Sequence, residues 1–368
     1  MKKKNLCKTL LKIIGIVLGI LVLALLAYIV YLYASYYRIE DNQELVVEAP
    51  VDDTTTGAAA GLAADTEYSA VTYNIGFGAY LPDYSFFMDG GTSSWAESPE
   101  TVQYAINGAG ELVKSLDPDF ALIQEIDLDA TRSYHTNEYE MLRNLLPEYT
   151  TVFAQNYDSA FLFYPFTQPH GSSRAGLGLF SKYPVSSALR RSFPISTSFS
   201  KFFDLDRCYS VSRIPVDNGR ELVIFNLHMS AYGNSDAIRK GQIEMLCNDM
   251  AKEYEAGNYV LCGGDFNHDL KASEEDTESC ESWAFPFPRT ELPEHFAFCL
   301  DLLTEEEQAA LWDSARNADM EYVPGVTYTV TLDGFIISDN IECLSYENIN
   351  TGYSYSDHDP VKMEFVLK

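Results

Sequence analysis

From Ile13 to Tyr33 the chain reads IIGIVLGILVLALLAYIVYLY, 21 residues without a charge and without a polar helical face. A helix of that length matches a bilayer core of about 30 Å, and apolar side chains around the whole circumference suit lipid better than the edge of a soluble core. Past residue 66 the pattern changes period. SAVTYNIGF, FALIQEI, GLGLFSKYPV, CYSVSRIPV, ELVIFNLHMS, YVLCGGDFN, DGFIIS and VKMEFVLK are β-rich stretches bounded by turn residues, which predicts strands. TVQYAINGAGELVKSL and AIRKGQIEMLCNDMAKEYEAG carry helical periodicity, the second closing on Gly257 as a C-cap. Strands outnumber helices and often follow one another directly, a pattern of packed sheets with helices outside. Between the apolar run and the first strand, residues 34–66 are acidic and rich in small residues, as in EAPVDDTTTGAAAGLAADT. That composition predicts a flexible tether spanning about 30 Å. The expected organisation is a basic segment over 1–12, a membrane anchor over 13–33, a linker over 34–66 and one folded domain over 67–368.

Charge fixes the expected orientation and narrows the partners. Lys2, Lys3, Lys4, Lys8 and Lys12 precede the apolar run, and the first acidic residue is Glu40. Lysines on one side only predict a cytoplasmic N-terminus and an extracytoplasmic domain. A cleaved signal peptide is the competing reading, but the run exceeds the usual apolar core and no A-x-A site follows it. The formal charge of the 368 residues is −29, and from residue 13 onward 20 basic residues face 54 acidic ones. Such a balance repels nucleic-acid phosphates and anionic lipid, and argues against tight nucleic-acid binding while leaving room for a cleft that handles one phosphate. No segment points to an obligate protein partner. Of seven cysteines none forms a CxxC pair, which argues against a structural zinc site. Cys280 and Cys299 flank a Pro-rich loop where a bridge is one option; Cys262, in YVLCGGD, reads as a small buried hydrophobe.

Several predicted strands end in an acid, an amide or a histidine. Asn74 closes VTYN, Glu125 closes FALIQE, His228 follows LVIFNL, and Asp265 and Asn267 follow YVLCGG. Asp333 precedes GFIIS, and Asp357-His358-Asp359 precede PVKMEFV. Taken singly, each has a structural explanation: a turn for Asn74, a salt bridge for Glu125, a satisfied core histidine for His228, an Asx turn for Asp265 and Asn267. Their repetition at strand ends weakens those readings together, because hard oxygen donors beside histidines are what a Mg²⁺-type site and phosphoryl chemistry require.

The ordered series Asn74, QE at Glu125, NLH at His228, GDFN at Asp265 and Asn267, Asp333 and SDHDPV resembles the endonuclease/exonuclease/phosphatase superfamily over residues 67–368. That superfamily includes DNase I, abasic-site endonucleases, inositol-polyphosphate 5-phosphatases and neutral sphingomyelinases. The resemblance implies a DNase I-like four-layer α/β/β/α sandwich, here preceded by one transmembrane helix, with the site at one edge of the two sheets. It implies that Glu125 is the principal ligand of Mg²⁺, or of Mn²⁺, with Asn74 and Asp357 beside it. Asp265 would orient or deprotonate the attacking water and Asn267 would hold the phosphate. His358, paired with Asp333, would stabilise transition-state charge, and His228 would contact phosphate or act as acid. RAGLGLFSKYPV also resembles a family strand pair, which makes Arg174 a candidate phosphate contact, with a surface arginine as the alternative. Asp359 matches no family ligand and is expected to be structural.

Substrate is read from four segments expected around the site: GFGAYLPDYSFFMDGGTSSW, YDSAFLFYPFTQPHG, SFPISTSFSKFFDLD and WAFPFPRTELPEHFAF. All are rich in aromatics and poor in Lys and Arg. They either pack on one another or line a pocket for an amphipathic substrate. The expectation is a membrane-anchored phosphodiesterase acting on nucleic acid or a phospholipid head group. The alternatives are a phosphomonoesterase on a phosphoinositide-like substrate and a non-catalytic surface binding protein.

Overall fold

The computed structural model describes residues 2–52, 61–202, 204–231, 236–273 and 284–368. It divides into two units, residues 1–38 and 39–368. The first is one helix, Lys2–Ser35, whose stretch Leu6–Ser35 is long and apolar enough to cross a membrane.

The second unit is built on two seven-stranded sheets. One runs, edge to edge, through Gln43–Glu44, Ser187–Ser192, Cys208–Pro215, Glu221–His228, Tyr259–Asp265, Asp333–Ser338 and Phe296–Phe298. The other runs through Ile341–Asn348, Val361–Leu367, Glu67–Asn74, Phe120–Ala130, Ser173–Ser181, Thr150–Asp158 and Val47–Glu48. Period-2 alternation sorts the second sheet's side chains. Phe120 and Leu122 go into the cluster shared with Leu222 and Ile224 of the facing sheet, while Ala121 and Ile123 meet Val102, Ile106 and Leu142 of helices Pro99–Leu116 and Glu138–Leu145. Helix Asp236–Glu255 covers the other sheet through Ile243, Leu246 and Met250. The expected four-layer sandwich is therefore present, and each strand predicted from the pattern is observed. Gly257 takes φ +91° and its N–H donates to the Tyr254 carbonyl at 2.8 Å, closing the long helix as expected.

One polar bridge ties the layers behind the site. Gln124 Nε2 donates to Asn226 Oδ1 at 2.8 Å, and Asn226 Nδ2 donates to the Gly178 carbonyl at 3.0 Å. Both amide side chains are fully buried, so the network is satisfied where an unpaired amide would be costly.

The stretch read as a tether behaves differently. Gln43–Glu44 and Val47–Glu48 pair with Ser187–Ser192 and Thr150–Asp158, capping one edge of each sheet. Arg190, fully buried, donates from Nη1 to the Glu40 carbonyl at 3.2 Å, and Ile39 N donates to Asp206 Oδ2 at 2.6 Å. Backbone pairing to an open edge asks little of the side chains, so a small, acidic sequence conceals it. Of the cysteines, Cys262 is buried as expected, and Cys299 is a free thiol that packs its sulfur 3.5 Å from Met363 Sδ. Its suggested partner Cys280 lies outside the described residues.

Candidate active site

The strand ends expected to carry chemistry meet at one end of the sandwich. Parallel pairing sets Asp265 opposite His228, antiparallel pairing sets Asp265 opposite Asp333, and Asn74 lies opposite Gln124, next to Glu125. Glu125 reaches the site through a break in its strand. The register shifts between Ile123 and Ile126, both of which face the helices, and Glu125 itself takes φ +56°. Such a bulge turns a side chain out of the strand's alternation at the cost of local backbone strain. Gly264, φ +145°, sits where an added Cβ would lie 2.1 Å from the Leu227 carbonyl oxygen, so only glycine lets Asp265 follow there.

Hydrogen bonds hold the cluster. Asn74 Nδ2 donates to Glu125 Oε1 at 3.2 Å and to Asp265 Oδ2 at 3.1 Å, while its Oδ1 accepts the Gly76 N–H at 3.0 Å. Asn267 N donates to Asp265 Oδ1 at 2.8 Å and its Nδ2 to the Met229 carbonyl at 3.0 Å. His358 Nδ1 lies 2.7 Å from Asp333 Oδ2, and its Nε2 lies 3.9 Å from Asp265 Oδ2. His228 Nε2 is 3.4 Å from Asp265 Oδ2 and 3.9 Å from Glu125 Oε1. Asp357 is anchored through its backbone carbonyl, which accepts from Arg316 N, and through Ser356 Oγ at 3.2 Å.

Burial divides the titratable groups by their neighbours. His358 pays for burial, but Asp333, Asp265 and Asp357 outweigh that cost and hold its imidazole well above the usual histidine range. His228 is held well below that range, first by burial and then by Arg207, His358 and Arg132. One histidine is therefore an imidazolium and the other neutral at pH 7. Burial pushes Asp265 up to about 7 against the pull of His358, with Asp333 adding to the rise. Burial likewise pushes Asp357 up to about 6, with Glu125 adding and His358 and Arg316 opposing.

The sequence-predicted residues Asn74, Glu125, His228, Asp265, Asn267, Asp333, Asp357 and His358 thus come together. Arg174 does not: it is exposed and paired with Asp129 at 3.0 Å, outside the cavity lined by Glu125, His228, Asp265, Asn267, Asp357 and His358. Asp359 is buried and accepts from Trp312 Nε1 at 2.9 Å and from Thr351 N at 3.1 Å, so its carboxylate ties down the turn that leads into the last strand. Sequence reading missed Ser314, whose hydroxyl donates to Asp333 Oδ2 at 2.8 Å, and the cavity's arginines, Arg132, Arg207 and Arg316. Arg132 donates to both oxygens of Asp127 at 3.1 and 2.8 Å and lies 3.6 Å over the Phe77 ring. In sequence these arginines are scattered, and no short spacing announces them.

The cavity over the site measures about 580 Å³. Its aromatic loops split between the two expected roles. Phe77, Tyr80, Tyr84 and Phe86 pack on one another with ring centroids 5.0 to 6.2 Å apart, as a loop core. Phe163, Tyr164, Phe166, Phe199 and Phe285 expose roughly half or more of their surface. The donor set suits a hard divalent cation, because Glu125 and Asp357 are carboxylate donors that line the same cavity, and the Glu125 charge adds to the rise of Asp357. Those two would hold it, with Asn74 beside them: its Nδ2 donates to Glu125 and its Oδ1, which accepts the Gly76 N–H, keeps a second lone pair.

No curated protein matches the chain. A Bacteroides vulgatus protein described as an endonuclease/exonuclease/phosphatase superposes with a TM-score of 0.54 at 16% identity, over 83% of this chain and 100% of that one. TDP2 from D. rerio, solved with a single-strand DNA product, gives 0.54 at 14% identity, over 82% and 99% of the two chains. ANGEL2, a 2′,3′-cyclic phosphatase solved with adenosine-2′,3′-vanadate, gives 0.56 at 12% identity, over 82% and 96%. At these identities the likeness is one of fold. The sequence profile of the Endonuclease/Exonuclease/phosphatase family matches residues 71–301, from the strand ending in Asn74 through Asp265 and Asn267, and the chain belongs to that family.

Proposed function

We propose that the protein is a divalent-metal-dependent phosphoesterase, anchored in a membrane by Leu6–Ser35 with its catalytic unit on the extracytoplasmic side. The observation that carries this reading is the convergence of Asp265 with the Asp333–His358 pair at the end of two sheets, above Glu125 and Asp357. A cation held by Glu125 and Asp357 would supply charge neutralisation at the phosphoryl oxygens. In this reading Asp265 takes the proton of the attacking water, with Asn74 and Asn267 fixing its two oxygens. His358, oriented by Asp333, donates from Nε2 to the phosphoryl oxygen as charge builds there. His228, neutral, contacts the same phosphate.

The buried arginines favour an anionic substrate despite the acidic surface. Two neighbours of the same fold were solved with a single-strand DNA product and with adenosine-2′,3′-vanadate, which supports a phosphodiester of nucleic-acid type. The exposed rings Phe163, Tyr164 and Phe166 favour a phospholipid head group instead.

The test is hydrolysis by the full-length protein, with and without Mg²⁺ or Mn²⁺, of DNA, RNA, sphingomyelin, phosphoinositides and bis-p-nitrophenyl phosphate. Metal-dependent turnover of one of them, abolished by chelation, is expected. No turnover of any with either metal would leave the fold as a binding protein. Protease added to intact cells should digest the catalytic unit, and protection until lysis would reverse the topology.

A further inference from the structure

Three side chains on the cavity wall make none of the hydrogen bonds that hold its floor. Asn156, His170 and Arg207 are 1%, 4% and 6% exposed, and all line the cavity. Among the described residues, both amide atoms of Asn156, Nδ1 of His170, and Nε and Nη1 of Arg207 have no hydrogen-bond partner. Buried polar groups are ordinarily satisfied, and an unpaired buried cation is the costliest exception. Arg132 on the same wall shows the usual solution, a carboxylate across both guanidinium edges. Arg207 has no carboxylate of that kind among the described residues.

The fold aims these groups deliberately. Asn156 is the extra residue where the register of Thr150–Asp158 shifts between Gln155 and Tyr157, a bulge that redirects one side chain. Arg207 immediately precedes strand Cys208–Pro215, and Cys208 Sγ lies 3.9 Å from the Gln155 carbonyl, so the two segments abut. Buried Arg190 clamps them, donating from Nε to the Gln155 carbonyl at 2.6 Å and from Nη2 to the Asp206 carbonyl at 2.9 Å. His170 hydrogen-bonds the Ser94 backbone through its other ring nitrogen, which leaves Nδ1 of the neutral ring as a lone-pair acceptor.

We propose that Asn156, His170 and Arg207 form a second anion subsite in the same cavity, which binds a phosphate of the substrate other than the one under attack, and an adjoining hydroxyl. The guanidinium and the Asn156 amide nitrogen donate to the phosphate oxygens, and His170 Nδ1 accepts from the hydroxyl. The role of this group as part of a substrate rests on the phosphoesterase reading above. A phosphorylated polyol head group and a phosphorylated nucleotide sugar both present this chemistry, and the experiment separates them.

Binding is measured by calorimetry and thermal shift on the full-length protein in detergent, without divalent cation. The probes are two matched pairs: inositol bisphosphate against inositol monophosphate, and adenosine 3′,5′-bisphosphate against adenosine 5′-monophosphate. In one pair the bisphosphate should bind at least about tenfold tighter than its monophosphate, and that pair identifies the source. Arg207→Gln should cut the preference by about tenfold or more, and Asn156→Ala by less. The unliganded Arg207→Gln protein should melt no lower than the wild type, because the substitution removes an uncompensated buried charge. No preference in either pair, or a preference that survives Arg207→Gln, overturns the subsite. If Arg207→Gln melts lower, Asn156→Ala decides, and an unchanged preference there overturns it. Hydrolysis of a phosphate ester without any such preference would remove the subsite and leave the phosphoesterase reading standing; preference without hydrolysis would do the reverse.

Discussion

On the cavity floor Asp333 and His358 share a hydrogen bond of 2.7 Å, and Asp265 takes donors from Asn74 and Asn267. On the wall Arg132 is bonded to Asp127, but Arg207, Asn156 and His170 keep buried polar atoms without partners among the described residues. Floor and wall are equally buried and face the same space. They differ in where their partners come from. The floor groups lie on paired strand ends, so the sheet ladder itself brings acid, amide and imidazole into contact. The wall groups come from a bulge, a loop and the residue before a strand, where nothing in the ladder supplies a counter-group. Partnership, more than burial, also sets charge. His358 and His228 lie in one cluster, yet the one that faces three carboxylates is cationic and the other is neutral.

Removing a partner from the wall should have the largest effect. Asp127→Ala leaves Arg132 charged and buried, which costs about 3 to 5 kcal/mol. A denaturant melt showing a loss under about 1 kcal/mol would mean that the pair does not fix this wall. On the floor, His358→Ala should act on the reaction more than on stability. One lost donor to transition-state charge costs about 3 to 4 kcal/mol, or roughly 10² to 10³ in kcat. Asp333→Asn should do part of the same damage, and KM should move little in both. Near wild-type kcat for His358→Ala, on whichever ester is hydrolysed, would reduce that histidine to a packing residue.

Acidification gives a smaller, graded effect. Burial holds His170 down to about 3 and His268 down to about 4, so both are neutral in the fold. In the unfolded chain each takes up a proton near pH 6.5, and the unfolded state then binds more protons than the fold. Their contribution is intact above about pH 6.5 and is lost as pH falls toward 4, at up to about 1.4 kcal/mol per pH unit for each group. Asp265 and Asp357, held up to about 7 and about 6 by burial, act in the opposite sense over the same window, so the readout is a difference: in urea melts between pH 7.5 and 4.5, His170→Gln should lose less stability on acidification than the wild type. Equal slopes in variant and wild type would place a proton on His170 in the fold. Arg174→Ala should do least. Its pair with Asp129 is exposed, and such pairs contribute about 0 to 1 kcal/mol. A large loss of substrate affinity in that variant would bring Arg174 back into the site.

Most of the floor is legible in the sequence, because Asn74, His228, Asp265 and Asp333 each mark one end of an apolar stretch, whereas the strand of Glu125 runs on to Ala130. Strand periodicity and turn chemistry are local properties, and side chains at strand ends inherit their position from them. The apolar helix is equally plain, since composition alone settles length and circumference. What the sequence leaves open is every contact that depends on two distant segments. The pairing of residues 43–48 to both sheet edges, the bulges that redirect Glu125 and Asn156, and the gathering of Arg132, Arg207 and Arg316 around one cavity have no periodic signature. Arg174 illustrates the converse: its motif places it in the correct strand, but only tertiary packing decides which face of that strand's neighbourhood is cavity and which is solvent. Local sequence sets what each strand end offers, whereas long-range packing sets which offers meet, because side-chain burial and charge pairing are summed over segments far apart in the chain.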